Sequence, residues 1–367
     1  ICYYANASSA EGTMGCQNVA SSVTLLASNF SRTGYGFAGW SDKFDYATNN
    51  TAHFYGPNET ITVPEGTTAN GLSLYAVWVK SSGSLQDPTK VASLCGTGAG
   101  SLTQAPIDGT ANLSSITALT DSRDNNTYAI AKLADGNCWM IENLRLENTA
   151  SHNTDGSLAQ GYNSSFIGLA TPESAAFGDS TTANSLYSTD GSTDATISGS
   201  NQGYRFPRYN NFNTQQRATN TTNTNVNTYS DGNYYTWHAT IADTTHYSSG
   251  DHGTTSICPA GWRLPEGNTT SAGFGKLDVE MGGTGASQSA TEASNRWRKY
   301  PANFLYSGNF GTSSASGRGS YGLYWSSTAR DYDSSYVLYL DSSFVVPGTS
   351  YGNKYSGLSI RCTVAGS

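Results

Sequence analysis

Charge is scarce in this 367-residue chain: only 13% of its residues are Asp, Glu, Lys or Arg. The net charge of −8 is spread along the chain, and no Lys/Arg-rich stripe exists to neutralise phosphates, which sets nucleic acid aside as a partner. No run approaches the roughly 20 apolar residues that a membrane helix needs, so no direct membrane span is expected. C-x-x-C pairs are missing, and the five histidines (His53, His152, His238, His246 and His252) stand in unrelated contexts. His238, His246 and His252 are near enough in sequence to suggest a metal site, but they lie in a Thr/Ser/Gly loop, where solvated histidines are the commoner outcome. No Ser or Cys nucleophile is spaced with a base in a recognisable signature, and the chain reads as non-catalytic. Helix formers are scarce beside 40 glycines, 24 tyrosines and long Thr/Asn/Ser tracts, which points to a β- and loop-rich extracellular protein of two or three domains.

Six cysteines are present, and an even number without C-x-x-C pairs favours disulfides over zinc. Cys2 and Cys16 flank what reads as one hairpin. Cys258 and Cys362 each stand beside a framework-like motif, and a bridge between them would close a loop of roughly a hundred residues, contributing on the order of 4–5 kcal/mol in the chain-entropy model. Cys95 and Cys138 then remain to pair, although six cysteines permit some fifteen connectivities and only motif position guides the choice. The chain opens on Ile1-Cys2-Tyr3-Tyr4, with neither a starting Met nor a signal peptide, and reads as part of an ectodomain whose secretion signal and anchor lie outside it.

In chain order, residues 1–82 form a first module. Ile1–Ala5, Ser22–Ala27, the Gly-punctuated Gly34–Trp40 and the alternating Leu72–Val79 read as strands. Lys80-Ser81-Ser82-Gly83-Ser84 has the composition of a flexible connector, and Gln86-Asp87-Pro88 of a helix or turn start. Residues 83–367 read as one larger domain. It begins with a hairpin of Tyr128–Leu133, a turn on Asp135-Gly136 and a second strand through Trp139, and carries a polar insertion at about 148–232. A helix is expected over Phe274–Met281 and a strand over Asn303–Ser307. Trp40, Trp78, Trp139, Trp237, Trp262 and Trp325 read as core, and Arg263 and Arg361 as partners for buried acids such as Glu142. No cofactor is expected; the oxygen-rich run Asp121, Asp124, Asn125 and Asn126 leaves calcium open, against the commoner reading of a self-capping turn.

The C-terminal run Tyr321–Val364 differs from the rest. Tyr324-Trp325-Ser326-Ser327-Thr328 and Leu358-Ser359-Ile360-Arg361-Cys362 look like framework, and between them strand-like alternation is filled with Tyr, Asp, Ser, Asn and Gly. Tyr offers large amphipathic area at low rotamer cost, and the small polar residues offer adaptable hydrogen bonds. Tyr332, Asp333, Tyr336, Tyr339, Asp341, Phe344, Tyr351, Asn353 and Tyr355 are the expected ligand contacts, with Arg330 and Asp331 at the rim. The plainer reading is a solvated sheet edge.

Two resemblances add to this. Phe30–Trp40, Glu59-Thr60-Ile61-Thr62-Val63 and Leu74-Tyr75-Ala76-Val77-Trp78 together resemble the internalin B-repeat, or Listeria–Bacteroides repeat, which implies a small β-grasp-like spacer of bacterial surface proteins. The succession DSRDNNTYAIAKLADGNCWMIENLRL, NYYTWHAT, ICPAGWRLP, YWSST and GLSIRC, over roughly residues 90–364, resembles the Fibrobacter succinogenes major paralogous domain. That resemblance implies an α+β, loop-rich, C-type-lectin-like fold of the formylglycine-generating-enzyme type, with the final strands and loops as ligand face. The chemistry of that enzyme needs a reactive, copper-binding cysteine pair, whereas these cysteines stand in framework motifs suited to structural bridges. The Tyr324–Cys362 window is also similar to those of the variable proteins of diversity-generating retroelements. The expectation is a surface protein binding a protein or glycan ligand on another cell or surface; the competing expectation is a structural surface, filament or adhesin module.

Overall fold

The computed structural model describes residues 1–18, 21–63, 71–110, 112–146, 162–163, 209–210, 229–241, 248–253, 256–310, 315–331, 333–354 and 356–364. Nearly all of the expected insertion, with Tyr332, Tyr355, His152 and His246, lies outside them.

The fold is sheet-rich and mixed with short helices. Strands β1 (Cys2–Tyr4), β2 (Ser22–Thr24), β3 (Tyr35–Ser41), β4 (Phe54–Tyr55), β5 (Thr60–Thr62) and β6 (Ser73–Ser84) occupy the first part of the chain. They are followed by β7 (Ile116–Thr120), β8 (Thr127–Lys132) and β9 (Cys138–Met140), then by the short β10 (Tyr162–Asn163), β11 (Tyr209–Asn210), β12 (Tyr234–Tyr235) and β13 (Ser256–Pro259). The C-terminal strands are β14 (Asn309–Phe310), β15 (Ala315–Ser316), β16 (Tyr321–Ala329), β17 (Ser334–Asp341), β18 (Val345–Asn353) and β19 (Thr363–Val364).

The principal sheet runs β19-β9-β8-β7-β6-β3-β4, with β1 also on β6. The expected hairpin forms: β8 and β9 pair antiparallel, and Gly136 supplies the left-handed φ of +77° that the turn requires. Lys80–Ser84 is not a connector, which corrects the sequence reading. It is the end of β6, pairing in parallel with β7 at Ser81↔Ala118 and Ser84↔Thr120. The serines suit a strand here because the next strand carries hydroxyl partners: Ser81 Oγ lies 2.7 Å from Thr120 Oγ1, and Ser82 Oγ lies 3.0 Å from Thr117 Oγ1. The boundary expected at residue 82 therefore falls inside a strand.

Helix Pro88–Cys95 starts where Asp87 Oδ1 accepts from the backbone N–H groups of Thr89 and Lys90, both at 3.0 Å. Helices Gly273–Glu280 and Thr291–Arg298 follow, the second without any apolar stripe to announce it, and Asn303–Ser307 is buried irregular chain rather than the expected strand. The disulfides are Cys2–Cys16, Cys95–Cys138 and Cys258–Cys362. No helix among the described residues is long and apolar enough to cross a membrane.

All six expected core tryptophans are buried, and each indole N–H has an acceptor, from Leu26 O for Trp40 to Tyr235 O for Trp325. The larger surprise is the joint between the first 82 residues and the rest. Phe37 and Trp40 pack in an N-terminal cluster, while Ala38, on the other face of β3, packs with Phe54 in the cluster built around Trp139, Phe274 and Trp297. Glu142 Oε2 accepts from Phe37 N at 3.1 Å and from Ala129 N at 2.7 Å. Asn58 Oδ1 accepts from Tyr306 N at 2.9 Å, Asn303 Nδ2 donates to Ala38 O at 2.7 Å, and Arg298 Nη1 donates to Asn58 O and Thr60 Oγ1. Gly56 is needed for close approach: a Cβ there would lie 1.8 Å from Arg298 O. Arg361 is buried, but its donors go to Asn143 Oδ1 and the carbonyls of Met140, Ala302 and Asn303, while Glu142 pairs with Arg145 at 3.1 Å. Arg263 is exposed. Both arginine expectations are corrected accordingly.

Candidate functional site

Strands β16, β17 and β18 form a separate antiparallel sheet. It is covered on both faces: Val337 packs with Trp325 and Trp237, and its neighbour Leu338 packs with Leu340, Val345 and Trp297. Only the ends and the outer edge of such a sheet can meet a ligand. The partner of β17 jumps from Ser350 at Val337 to Pro347 at Leu338, so β18 carries extra residues there. Gly348, with φ of +86°, makes this bulge, which re-aims the following Thr349–Asn353.

β17 itself runs without extra residues, so side chains three positions apart leave opposite faces. Tyr336 stands across from Tyr351, whereas Tyr339 stands across from Leu323 and Val346. The expected contacts therefore separate into two groups, and the expectation of one shared face gives way to this geometry. One group sits at the end of the sheet near residue 330. The other sits around the β17–β18 turn.

In the first group, the Arg330 guanidinium lies 3.4 Å over the Tyr351 ring and 3.6 Å from Asp331 Oδ2. Tyr351 is 55% exposed, and Asn353 is exposed beside it. The loop beneath is tightly held. Asp331 Oδ1 accepts from Asp333 N, Ser334 N and Ser334 Oγ at 3.0, 2.8 and 2.7 Å. Partial burial acts to raise this carboxyl's pKa, but those hydrogen bonds and Arg330 hold it below the usual range. Lys354, 1% exposed, donates from Nζ to Asp331 O at 2.8 Å and from its backbone to Asp333 O at 2.9 Å, with its ammonium 4.5 Å over the Trp237 ring. Burial pulls its pKa down to about 8 against the opposing pull of Asp331, Asp333 and Asp251. Trp237 is the core residue expected of it, whereas Lys354, whose ammonium lies over that ring and braces the loop, is not among the expected residues. The one signal was a lone lysine in the polar run Tyr351–Ser356.

In the second group, the Tyr339 ring stacks with Tyr321 at 6.0 Å and Phe344 at 5.1 Å, and its hydroxyl donates to Asp341 Oδ2 at 3.0 Å. Burial, and then Asp341, push its pKa up to about 12. Asp341 Oδ1 caps the turn, accepting from Ser343 N at 2.7 Å and Phe344 N at 3.0 Å. These rings and polar tips largely engage one another.

The calcium candidates are committed elsewhere. Asp121 binds Arg123 Nε at 2.8 Å and Gln86 Nε2 at 2.7 Å, while Asp124 caps Asn126 N at 2.9 Å and accepts from its side chain at 2.7 Å. Asn125, at φ +63°, turns the chain between them, and burial raises Asp124 to about 6. Among the described residues, no group of three His, Cys, Asp or Glu side chains is placed to hold a metal ion. His53 lies against Tyr55, with burial lowering its pKa, and His252 Nδ1 lies 3.0 Å from Thr328 Oγ1. No family model matches the chain, and neither a curated protein nor a solved structure matches it.

Proposed function

We propose that this chain is a non-catalytic binding protein of the bacterial cell surface. In this reading a C-type-lectin-like scaffold, fused to a B-repeat-like module, presents Arg330, Asp331, Asp333, Tyr336, Tyr351 and Asn353 to a protein or glycan on another cell or surface. The observation that carries it is the Arg330–Tyr351 pair: a half-exposed cation stacked on an exposed ring, standing on a loop whose backbone is fixed by Asp331 and the buried Lys354. Exposed Tyr and Arg on a pre-ordered frame are the features of an interface hot spot, because little side-chain and loop entropy remains to be lost on binding. The order of the five sequence motifs, the three disulfides and the Tyr-, Asp- and Ser-rich composition support the same reading.

The test is a glycan array and a surface-protein array probed with the intact chain and with the double variant R330A/Y351A. Binding of the intact chain that drops at least tenfold, or about 1.4 kcal/mol, in the variant supports the site. Retroelement-driven diversification adds a genetic expectation. Across related strains, changes should gather at the exposed positions of the Tyr324–Cys362 window and spare buried Trp325, Val337, Leu338 and Lys354.

A second reading rests on the outer edge of β18, where Thr349–Gly352 meets no strand besides β17 among the described residues. Open edges invite pairing between copies. Filaments of the purified chain, together with failure of both arrays, would favour a structural module.

A further inference from the structure

A cavity of about 400 Å³ lies away from the C-terminal sheet end, where the segment before β7 meets the ends of the helices Gly273–Glu280 and Thr291–Arg298. Pro106, Ile107 and Met281 give it an apolar wall, and Arg296 and Glu280 supply its charges. The size suits a small molecule, and the lining mixes polar and apolar groups, so an amphipathic ligand fits it better than a purely apolar one.

Arg296 is the informative residue. Its natural partner, the buried Asp278 carboxylate, is already occupied: Oδ2 accepts from Gly285 N at 2.9 Å and Gln288 Nε2 at 2.6 Å, and Oδ1 accepts from Trp297 Nε1 at 3.0 Å. Arg296 Nη2 stays 4.0 Å from Oδ1 and makes only a 3.3 Å bond to Gln288 Oε1. The Nε–H is buried and finds no acceptor among the described residues. That Nε–H is enclosed, but the rest of the guanidinium stands on the cavity wall with a single 3.3 Å bond among the described residues, which leaves it donors for an acceptor from outside the chain.

We propose that this cavity binds a small monocarboxylate with a short apolar body, its carboxylate accepting from Arg296 and its alkyl part lying on Ile107, Pro106 and Met281. Glu280 on the same wall disfavours a doubly charged anion such as phosphate, and offers an acceptor to an α-ammonium if the ligand has one. Two sources share this chemistry, a short-chain fatty acid and an apolar amino acid. The site is independent of the surface-recognition reading above.

Calorimetric titration of the intact, disulfide-bonded chain with hexanoate, leucine, hexylamine and inorganic phosphate distinguishes them. Saturable binding of hexanoate, weakened at least tenfold in R296Q at an unchanged thermal midpoint, is expected; a tenfold loss corresponds to removing one charge-assisted hydrogen bond. Leucine binding that weakens in E280Q, a substitution on the exposed rim, would assign the amino-acid source, and hexanoate binding indifferent to E280Q the fatty-acid source. If neither carboxylate saturates, if hexylamine or phosphate binds as tightly, or if R296Q binds hexanoate like the parent chain, the proposal fails. Should R296Q unfold, I107E at the half-buried wall must abolish hexanoate binding for the proposal to survive.

Discussion

The joint near Glu142 and the sheet end near Arg330 use the same kinds of residue to opposite effect. At the joint, Glu142, Asn58, Asn303 and Arg298 are buried and donate or accept across more than a hundred positions of sequence. At the sheet end, the buried Lys354 and the hydrogen-bonded Asp331 carboxylate make the frame, while Arg330 and Tyr351 lie outward. Polar side chains in this protein therefore mark a lock when both partners are enclosed, and a recognition surface when the frame is satisfied and the tips are not enclosed. Each region can be broken in a way the other should not feel.

The largest effect should come from E142A. It leaves Arg145 and the N–H groups of Phe37 and Ala129 without their buried acceptor, and breaking such a pair costs about 3–5 kcal/mol. Urea unfolding should show this as a lower midpoint at an unchanged slope, and a loss under about 1 kcal/mol would mean that the joint is not a lock.

Next comes the pH dependence of Glu59, buried at the joint, whose pKa desolvation raises to about 7 while its Oε2 accepts from Gly56 N at 2.8 Å. A carboxyl whose folded pKa exceeds its unfolded value binds more protons when folded, so its stabilisation is full below about pH 4.5 and fades as pH rises through 7. Stability should fall across that window by on the order of 3 kcal/mol, and E59Q should flatten the fall. Unfolding curves at pH 5 and pH 8 for both chains measure it; parallel losses in the two would remove Glu59 as the cause.

K354M should cost about 1–3 kcal/mol by leaving Asp331 O without its buried donor. Its sharper signature is local: amide exchange should quicken at Asp333 and Ser334 and stay slow at Phe37 and Ala129. Y351A is smallest, within about 0.5 kcal/mol, because the side chain is mostly exposed. A larger destabilisation by Y351A would turn the Arg330–Tyr351 pair from a recognition element into a structural one.

Much of this was readable before the fold. Gln86-Asp87-Pro88 marks a helix or turn start, Asp135-Gly136 a hairpin, and the tryptophans a core, because each signal is local. The serines of β6 were misread because what makes them strand residues is a row of threonine hydroxyls more than thirty positions away. Helix Thr291–Arg298 lacked an apolar stripe because its buried residues include Asn295, Trp297 and Arg298, with the polar two facing partners in the first module. At the candidate site the residue types are legible, but their grouping depends on which face each strand position takes. The odd spacing between Tyr336 and Tyr339 already implied opposite faces once both belonged to one strand. Lys354 gave no such clue, since its importance lies in how deeply the chain buries it.

The passage of β6 through the expected boundary has a mechanical meaning. A strand bonded on one side to the first module and on the other to β7 behaves as a shaft, not a hinge. Tension along it would load many parallel hydrogen bonds in shear at once, so a tug on one half arrives at the other as torque and displacement with little slack. A ligand gripped at the far sheet end would thus be held at a set angle to whatever holds the first module.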